Sequence, residues 1–408
     1  MNTPTLSRGW YFLLSYVAFS AYSLDFIMRL YLGPQLKSLY NLAPHSLGSD
    51  AIVNAAGQLI GVLIFGCLVD KINFKTCFIW VWILQILGLI KLALLSPQMS
   101  AQTLQHNCIV SMLLMGIGEG GIFAIIHPLV TLAFHHPDRS KINIMHYLHT
   151  NWPLMIMLVC FLEWYVGKNQ VPLTTNVYMM FVFPCLYLML ALIIPLPKRA
   201  SDHPIRLSSK IRFTLRPGFV LLFFCMAFTS TIEHSPRTLF VDLYNNKLHV
   251  SQVHFILFYC GIQAVLRLSC SFFTRWISPP GLLGIAAIIS CIGLFILAQN
   301  ISITADLIGL GLFSFSNAWY WPSFITIAID RYPLSGSFGM ALMNGGGYLS
   351  YMFFVPRMTQ LSMTQGVNQA FYTLSWYAGL VVILLGAIYA FFRSQGGYKV
   401  MASSEASV

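Results

Sequence analysis

Six charged side chains interrupt the long apolar stretches of this chain, and they are the residues best suited to do chemistry. A charged group in a bilayer span costs about 2.5–3.5 kcal/mol on insertion scales, so such groups point to a function. Desolvation disfavours the charged form of a carboxylate, which lets it take up and release a proton, and a buried guanidinium can bind an anion. The six residues are Asp25, Arg29, Glu119, Glu233, Arg237 and Arg267.

The three acids are candidates for a proton-coupling site. Glu119 ranks first, because it has no charged partner in its own helix and because the four glycines of residues 116–121 leave room around it. Glu233 ranks second, with Arg237 and His234 as neighbours, and Asp25 ranks third. The alternative for Glu119 is a hydrogen bond to another helix that only fixes packing.

Two of the acids have an arginine four positions later, which places both side chains on one helix face. Asp25 precedes Arg29, and Glu233 precedes Arg237. Either pair can instead be an intrahelical ion pair that neutralises itself. Even as pairs, these charges are expected to face an aqueous cavity, because exposing them to lipid is costly.

A second set of residues within the apolar stretches is expected to contact a small solute. Arginines can pair with a carboxylate or a phosphate, and amides and histidines can form hydrogen bonds. Trp321 precedes Pro322, whose ring interrupts the helix and creates a bend beside a stacking surface, although packing explains this equally well. The predicted solute-binding residues are Arg29, His127, Asn143, His146, Arg237, Arg267, Asn317, Trp321 and Asn344.

No metal or cofactor is expected. His146 and His149 are three residues apart, but no third ligand follows with metal-site spacing. The glycines around Glu119 resemble a dinucleotide-binding pattern, yet no strand precedes them. No nucleophile with a base and no nucleotide-binding motif is visible, which argues against an intramembrane enzyme and against ATP-driven transport. A non-transporting sensor would need a signalling domain, which is also not visible.

The elements that must position these residues are long apolar helices. The composition is 57% hydrophobic and 9% charged, and the mean hydropathy is +0.72. About twenty residues of helix cross a bilayer core of roughly 30 Å, and the stretches lack the alternation of barrel strands. We therefore predict an all-α membrane protein with twelve transmembrane helices at 10–32, 49–69, 76–96, 107–134, 142–166, 174–196, 217–243, 252–276, 281–300, 303–329, 337–358 and 368–392.

The basic residues indicate the orientation of these helices. The net charge is +11, and most of the 23 Lys and Arg residues fall in loops that an even number of spans places on one side. The positive-inside rule makes that side the cytoplasm, so both termini are expected there. The charge therefore reflects the bilayer and not a nucleic-acid partner, and compact loops favour a bacterial inner membrane.

A basic, proline-marked segment divides the predicted helices six and six. The divisions are an N-terminal half at 1–196, a cytoplasmic linker at 197–216 and a C-terminal half at 217–408. Two six-helix halves are typical of transporters built from structural repeats, with the solute site near the midplane between them. A twelve-helix bundle without internal symmetry is the alternative.

The loop between the second and third predicted helices carries the most specific motif. It reads Gly-Cys-Leu-Val-Asp-Lys-Ile-Asn-Phe-Lys over residues 66–75. It resembles the signature of the major facilitator superfamily, with matches at Gly66, Leu68, Asp70 and Lys71 and an asparagine in place of the second glycine. The resemblance implies the major facilitator fold and a conformational switch formed by Gly66, Asp70 and Lys71.

Within that superfamily the chain is similar to the fucose-permease-like proton symporters. His127-Pro128 resembles their Asn-Pro in helix 4, and Asn143 falls in a match to the start of helix 5. Residues like Glu233 in helix 7 and Trp321-Pro322 in helix 10 also occur in that group. The two acids of that group are present by helix but out of register, since Glu119 lies one turn earlier and Asp25 lies nine residues before Pro34.

The resemblance implies that helices 1, 4, 7 and 10 line a cavity, and most of the six charges fall on helices 1, 4 and 7. The expected function is secondary active transport of a small polar solute by alternating access, with proton coupling and a sugar or sugar-like substrate. An organic anion, either a carboxylate or a phosphate ester, is the alternative. The expected partners are this solute, protons and the lipid bilayer, and the expected state is a monomer.

Overall fold

The computed structural model describes residues 5–40, 46–96, 98–134, 140–169, 173–198, 205–247, 252–299 and 301–398. Within these ranges the chain is helical and contains no strand, which confirms the predicted all-α class. The helices up to the linker are α1 (Thr5–Tyr40), α2 (Ser46–Leu68), α3 (Phe74–Ala93), α4 (Ala101–Ala133), α5 (Ser140–His149), α6 (Asn151–Asn169), α7 (Leu173–Met179) and α8 (Val182–Ile193).

The remaining helices begin inside the linker, where α9 forms a short helix that the sequence did not predict. A 3-10 turn at Pro333–Ser335 precedes α16, and a π-helical turn at Ser350–Phe354 joins α16 to α17. The helices are α9 (Leu207–Thr214), α10 (Pro217–Lys247), α11 (Gln252–Leu268), α12 (Cys270–Thr274), α13 (Pro279–Gln299), α14 (Ile303–Asn317), α15 (Tyr320–Arg331), α16 (Gly336–Leu349), α17 (Val355–Gln365) and α18 (Val367–Ser394).

Among the described residues, eight helical segments are long and apolar enough to cross a membrane. They correspond to eight of the predicted spans, so the chain is an integral membrane protein. The eight segments are Arg8–Arg29, Ala51–Leu68, Phe74–Ala93, Ala101–Ala133, Thr175–Ile193, Pro217–Pro236, Pro279–Gln299 and Val367–Ser394.

The other four predicted spans are interrupted helices, and three of the interruptions have a proline close by. The 142–166 span divides at Thr150, shortly before Pro153, and the 303–329 span divides just before Pro322. The 337–358 span contains the π-helical turn, which precedes Pro356. A proline has no amide hydrogen to continue the helical ladder, so each leaves a carbonyl four residues earlier without its usual donor.

Packing divides the chain into two compact units. The first comprises Met1–His135 and Leu154–Pro204, and in it α4 packs against α1, α2 and α3. The second comprises His136–Pro153 and Ile205–Val408. Its helix α5, which the sequence assigned to the first half, packs against α11, α12 and α15. The division into two six-helix halves stays a prediction.

Candidate functional site

Arg29 and Glu119 form an ion pair inside the first unit. One guanidinium nitrogen of Arg29 donates to Oε1 of Glu119, and the other donates to Oε2 at 3.0 Å and to Oδ1 of Asn54 at 3.2 Å. The Glu119 side chain is fully buried. A paired, two-point contact of this kind is the strongest form of an arginine–carboxylate interaction. Glu119 therefore has a charged partner, which comes from α1 and not from its own helix.

Two amides of α2 complete the shell of Glu119. Asn54 Nδ2 donates to Oε2 at 3.2 Å, and Gln58 Nε2 donates to the same oxygen at 2.7 Å. Every described hydrogen bond to the Glu119 carboxyl thus comes from an N–H donor. A protonated carboxyl would need an acceptor for its own hydrogen, so this shell suits an ionised acid.

Glycines bring α2 against the backbone of α4. A Cβ on Gly116 would collide with the carbonyl oxygen of Asn54, and one on Gly120 would collide with that of Gln58. On the other side of α4, a Cβ on Gly118 would lie 3.1 Å from the backbone nitrogen of Gln85. The prediction that these glycines leave open room around Glu119 is wrong, because the backbones of neighbouring helices fill that space.

Asp25 lies in a separate hydrogen-bonded chain of the same unit. Gln85 Nε2 donates to Oδ2 of Asp25 at 2.6 Å, and Tyr187 donates its hydroxyl hydrogen to Oε1 of Gln85 at 3.1 Å. Asp25 is fully buried, and its Oδ1 has no hydrogen-bond partner among the described residues. The alternative of an Asp25–Arg29 intrahelical pair is not observed, since the described bonds of Arg29 go to Glu119 and Asn54.

His127 interacts with its own helix. Its Nδ1 lies 2.9 Å from the carbonyl oxygen of Phe123, and its ring lies 5.4 Å from that of Phe123. The residue is fully buried, one position before Pro128. The structure thus shows a helix-4 histidine that packs within α4, and its role in solute binding stays a prediction.

In the second unit, Arg267 is surrounded by backbone carbonyls. Its Nε donates to Ala318 at 3.1 Å, and its two terminal nitrogens donate to His149 at 2.7 Å and to Asn317 at 3.1 Å. His149 and Ala318 each lie four residues before a proline, Pro153 and Pro322 respectively, so their carbonyls lack the usual helical donor. The guanidinium therefore caps two proline-interrupted helices.

Glu233 supplies the counter-charge of this arginine. Its Oε1 lies 3.7 Å from a terminal nitrogen of Arg267, and both side chains are almost completely buried. Tyr259, two turns before Arg267 on α11, directs its hydroxyl to the backbone oxygen of Glu233 at 3.5 Å and accepts a hydrogen from Asn317 Nδ2 at 2.9 Å. The Arg237 side chain, predicted to pair with Glu233, lies outside the described residues.

An aromatic and histidine cluster lies next to this ion pair. Trp321 donates from Nε1 to Oδ1 of Asn344 at 2.7 Å, and a Cβ on Gly347 would collide with the indole. The ring centroid of His234 lies 6.1 Å from that of Trp321 and 4.5 Å from that of Tyr351. Two predicted solute-binding residues, Trp321 and Asn344, are therefore bonded to each other.

Five predicted residues, two on α5 and three at the junction of α2 with the following loop, have different surroundings. Asn143 accepts from the Thr274 hydroxyl at 2.8 Å, which joins α5 to α12. His146 is fully buried beside the Trp319 ring, at a centroid distance of 5.2 Å. Asp70 is buried and Lys71 is exposed in a tight turn after the buried Gly66. The switch role of Gly66, Asp70 and Lys71 stays a prediction.

Sequence reasoning missed the amides that hold the acids. Their signal was present, because an amide in an apolar span must find partners, but the predicted site included only the amides of Asn143, Asn317 and Asn344. No group of three or more metal-ligating side chains occurs among the described residues. The missed amides are Asn54, Gln58 and Gln85, and Tyr187 is hydrogen-bonded to the last of them.

Long apolar helices that carry buried charged residues define a polytopic membrane protein. The Major Facilitator Superfamily model matches residues 13–355, and the chain belongs to this family. It is therefore a transporter of small solutes and not an enzyme. No curated protein matches the sequence.

Solved structures share the fold at low sequence identity. The Escherichia coli fucose:proton symporter FucP is 14% identical, covers 94% of this chain and 99% of its own, and superposes with a TM-score of 0.73. The proton:xylose symporter XylE is 13% identical over 94% and 96%, with a TM-score of 0.76. The human organic anion transporter MFSD10 is 17% identical over 94% and 100%, with a TM-score of 0.71.

Proposed function

We propose that this transporter moves an uncharged sugar or sugar-like solute, coupled to protons, by alternating access. The observation that carries the substrate class is the state of the two described arginines that were predicted to bind the solute, Arg29 and Arg267. Arg29 is paired with Glu119, and Arg267 is paired with Glu233 and bonded to three carbonyls. Neither guanidinium is left to neutralise an anionic solute, whereas the surrounding amides and aromatic rings suit hydroxyl groups and a sugar face.

The contacts also change the order of the proton-coupling candidates. Glu119 is neutralised by Arg29 and fully supplied with donors. Asp25 is equally buried but receives a neutral amide and has one oxygen without a partner among the described residues. The charge of Arg29 also acts on Asp25, but the described hydrogen bonds of Arg29 go to Glu119 and Asn54, so Oδ1 of Asp25 has room to hold a proton. We therefore place proton binding at Asp25, with Glu119 and Glu233 in ion pairs that shape the two units.

The organic anion reading remains the second candidate. It is supported by the fold shared with the human organic anion transporter MFSD10. Arg237, whose side chain lies outside the described residues, is the cationic residue that the sequence predicts for it. Uptake of a neutral sugar and its carboxylated counterpart, measured side by side, separates the two candidates.

The proton role of Asp25 is tested by Asp25→Asn in proteoliposomes. The amide keeps the shape and the bond to Gln85 but cannot exchange a proton, so counterflow of the solute should persist while uphill accumulation driven by a pH gradient is lost. Glu119→Gln should instead impair both by disturbing the ion pair. Asp330→Asn serves as the control, because Asp330 already contacts Lys141 and accepts from Tyr398, and this variant should keep uphill accumulation. Accumulation by Asp25→Asn at the wild-type level would rule out this assignment.

A further inference from the structure

Three polar residues lie on one face of α11 at intervals of four. They are Tyr259, Gln263 and Arg267. The first and last are bound within the protein, since Tyr259 contacts Asn317 and Arg267 binds three carbonyls. Residues four apart on a helix are neighbours on its surface, so Gln263 lies between these two anchored positions.

Gln263 differs from both of its neighbours on this face. It is fully buried, and neither its amide nitrogen nor its amide oxygen has a hydrogen-bond partner among the described residues. Gln85, a glutamine buried to the same extent, has partners at both atoms. An unpaired buried amide is costly, so each one in a native protein calls for an explanation, such as a water, an ion or a polar ligand that binds there.

On α5, His146 is a second buried polar side chain without a described hydrogen-bond partner. It is fully buried, and both ring nitrogens lack a partner among the described residues. Its place beside the same arginine follows from two contacts. First, Arg267 binds the carbonyl of His149, which lies three residues after His146. Second, the ring of Trp319 packs on His146, and the residue before Trp319, Ala318, accepts a hydrogen bond from Arg267. Gln263 on α11 and His146 on α5 thus both lie close to the Arg267 guanidinium, within the second unit.

The chemistry of this cluster is neutral. Glu233 balances the charge of Arg267, so the unsatisfied groups are an amide and an imidazole, which can each donate and accept. A hydroxyl group has the same dual character, whereas a carboxylate or phosphate can only accept. We propose that Gln263, with His146, forms a subsite that binds hydroxyl groups of an uncharged solute. This inference rests on the proposed function and names the residues that select its substrate class.

The test compares Gln263→Leu with Tyr259→Phe in purified, reconstituted protein. The probes are D-glucose and D-galactose, paired with D-glucuronate and D-galacturonate, in counterflow and in thermal unfolding with and without each probe. Gln263→Leu removes two unpaired polar groups, so its unfolding temperature without solute should equal or exceed that of the wild type. The KM for the neutral sugar that the wild type exchanges should rise about tenfold, which corresponds to one lost hydrogen-bonded group.

Tyr259→Phe is the matched control from the same face of α11. Its hydroxyl already has partners in the protein, so this variant should unfold at a lower temperature and keep the KM within about twofold. If Gln263→Leu instead keeps the wild-type KM, Gln263 is a packing residue and the inference fails. If Gln263→Leu does not fold, Gln263→Asn withdraws the amide by one methylene, and an unchanged KM for that variant equally overturns the inference.

The measurements on the wild-type protein separate a failure of the proposed subsite from a failure of the proposed function. Exchange of neither neutral sugar by the wild type refutes the proposed substrate class before any variant is compared. Exchange of the uronates in preference to the neutral sugars refutes it too and favours the organic anion reading. Exchange of a neutral sugar that is insensitive to Gln263 leaves the proposed function intact and removes only the subsite.

Discussion

At the scale of single residues, the buried charges of this transporter are used by the protein itself. Arg29 reaches from α1 to Glu119 on α4, and Arg267 reaches from α11 to Glu233 on α10. Removing one member of such a pair leaves an uncompensated charge in a medium of low polarity, which is far more costly than losing the pair. These arginines are therefore structural elements as much as candidate binding groups.

Arg267 gives the sharpest test of that view. Arg267→Lys retains the charge but loses the planar fork, so a single ammonium cannot serve the carbonyls of His149, Asn317 and Ala318 together. The free energy of unfolding should fall by about 2 kcal/mol or more, because at least one buried carbonyl loses its donor. Chemical unfolding in detergent micelles measures the change.

Arg275→Lys is the control for this substitution, since Arg275 is exposed just after α12. The exchange of one exposed cation for another should leave the unfolding free energy within about 0.5 kcal/mol of the wild type. Equal stability of the Arg267 and Arg275 variants would contradict a capping role and return Arg267 to the candidates for anion binding.

Most of the charged residues of this site could be predicted from residue type alone, but which acid pairs with which arginine could not. A charge in an apolar span is visible in any sequence, and Asp25, Glu119, Glu233 and Arg267 were identified in this way. The choice of partner depends on which helices are neighbours. Spacing along one helix suggested that Arg29 pairs with Asp25, whereas the long arginine side chain reaches a different helix.

At the scale of helices, glycine and proline positions determine where the functional groups lie. Glycines at 57, 61, 116 and 120 let α2 and α4 approach until a Cβ would touch backbone. This approach carries Asn54 and Gln58 to Glu119. In the second unit, Pro153 and Pro322 release the carbonyls that Arg267 binds. Close helix packing through small residues is the usual source of association in lipid, where the hydrophobic effect between helices is absent.

Gly120→Ala tests the role of the α2–α4 contact. The new methyl group would collide with the carbonyl oxygen of Gln58, so the helices must separate and the Gln58–Glu119 bond must lengthen. We expect a loss of about 1–3 kcal/mol in unfolding free energy, as for overpacked cores. Gly379→Ala, at a glycine of α18 with open space around it, should be neutral or slightly stabilising. Similar stabilities for the two variants would show that the contact is unimportant.

At the scale of the whole molecule, the family assignment agrees with the all-α membrane fold, while the orientation of the helices is a proposal. From the excess of Lys and Arg in alternate loops we propose that both termini lie in the cytoplasm of a bacterial host. Reporter fusions test this orientation. A fluorescent protein fused after Lys75 or after Val408 should fluoresce in the cytoplasm, and alkaline phosphatase fused after Gln98 should be active outside. The reverse pattern would invert the topology.

The sequence by itself determined the class of this protein: its apolar lengths match a bilayer, and the loop at residues 66–75 carries the superfamily signature. It also located the charged residues, because their cost in lipid makes them conspicuous. Only the tertiary structure decided which of them are neutralised, since an ion pair depends on helices that are distant in the chain. That is why Asp25, ranked last among the acids from spacing alone, now stands first, and why Gln263 became visible at all.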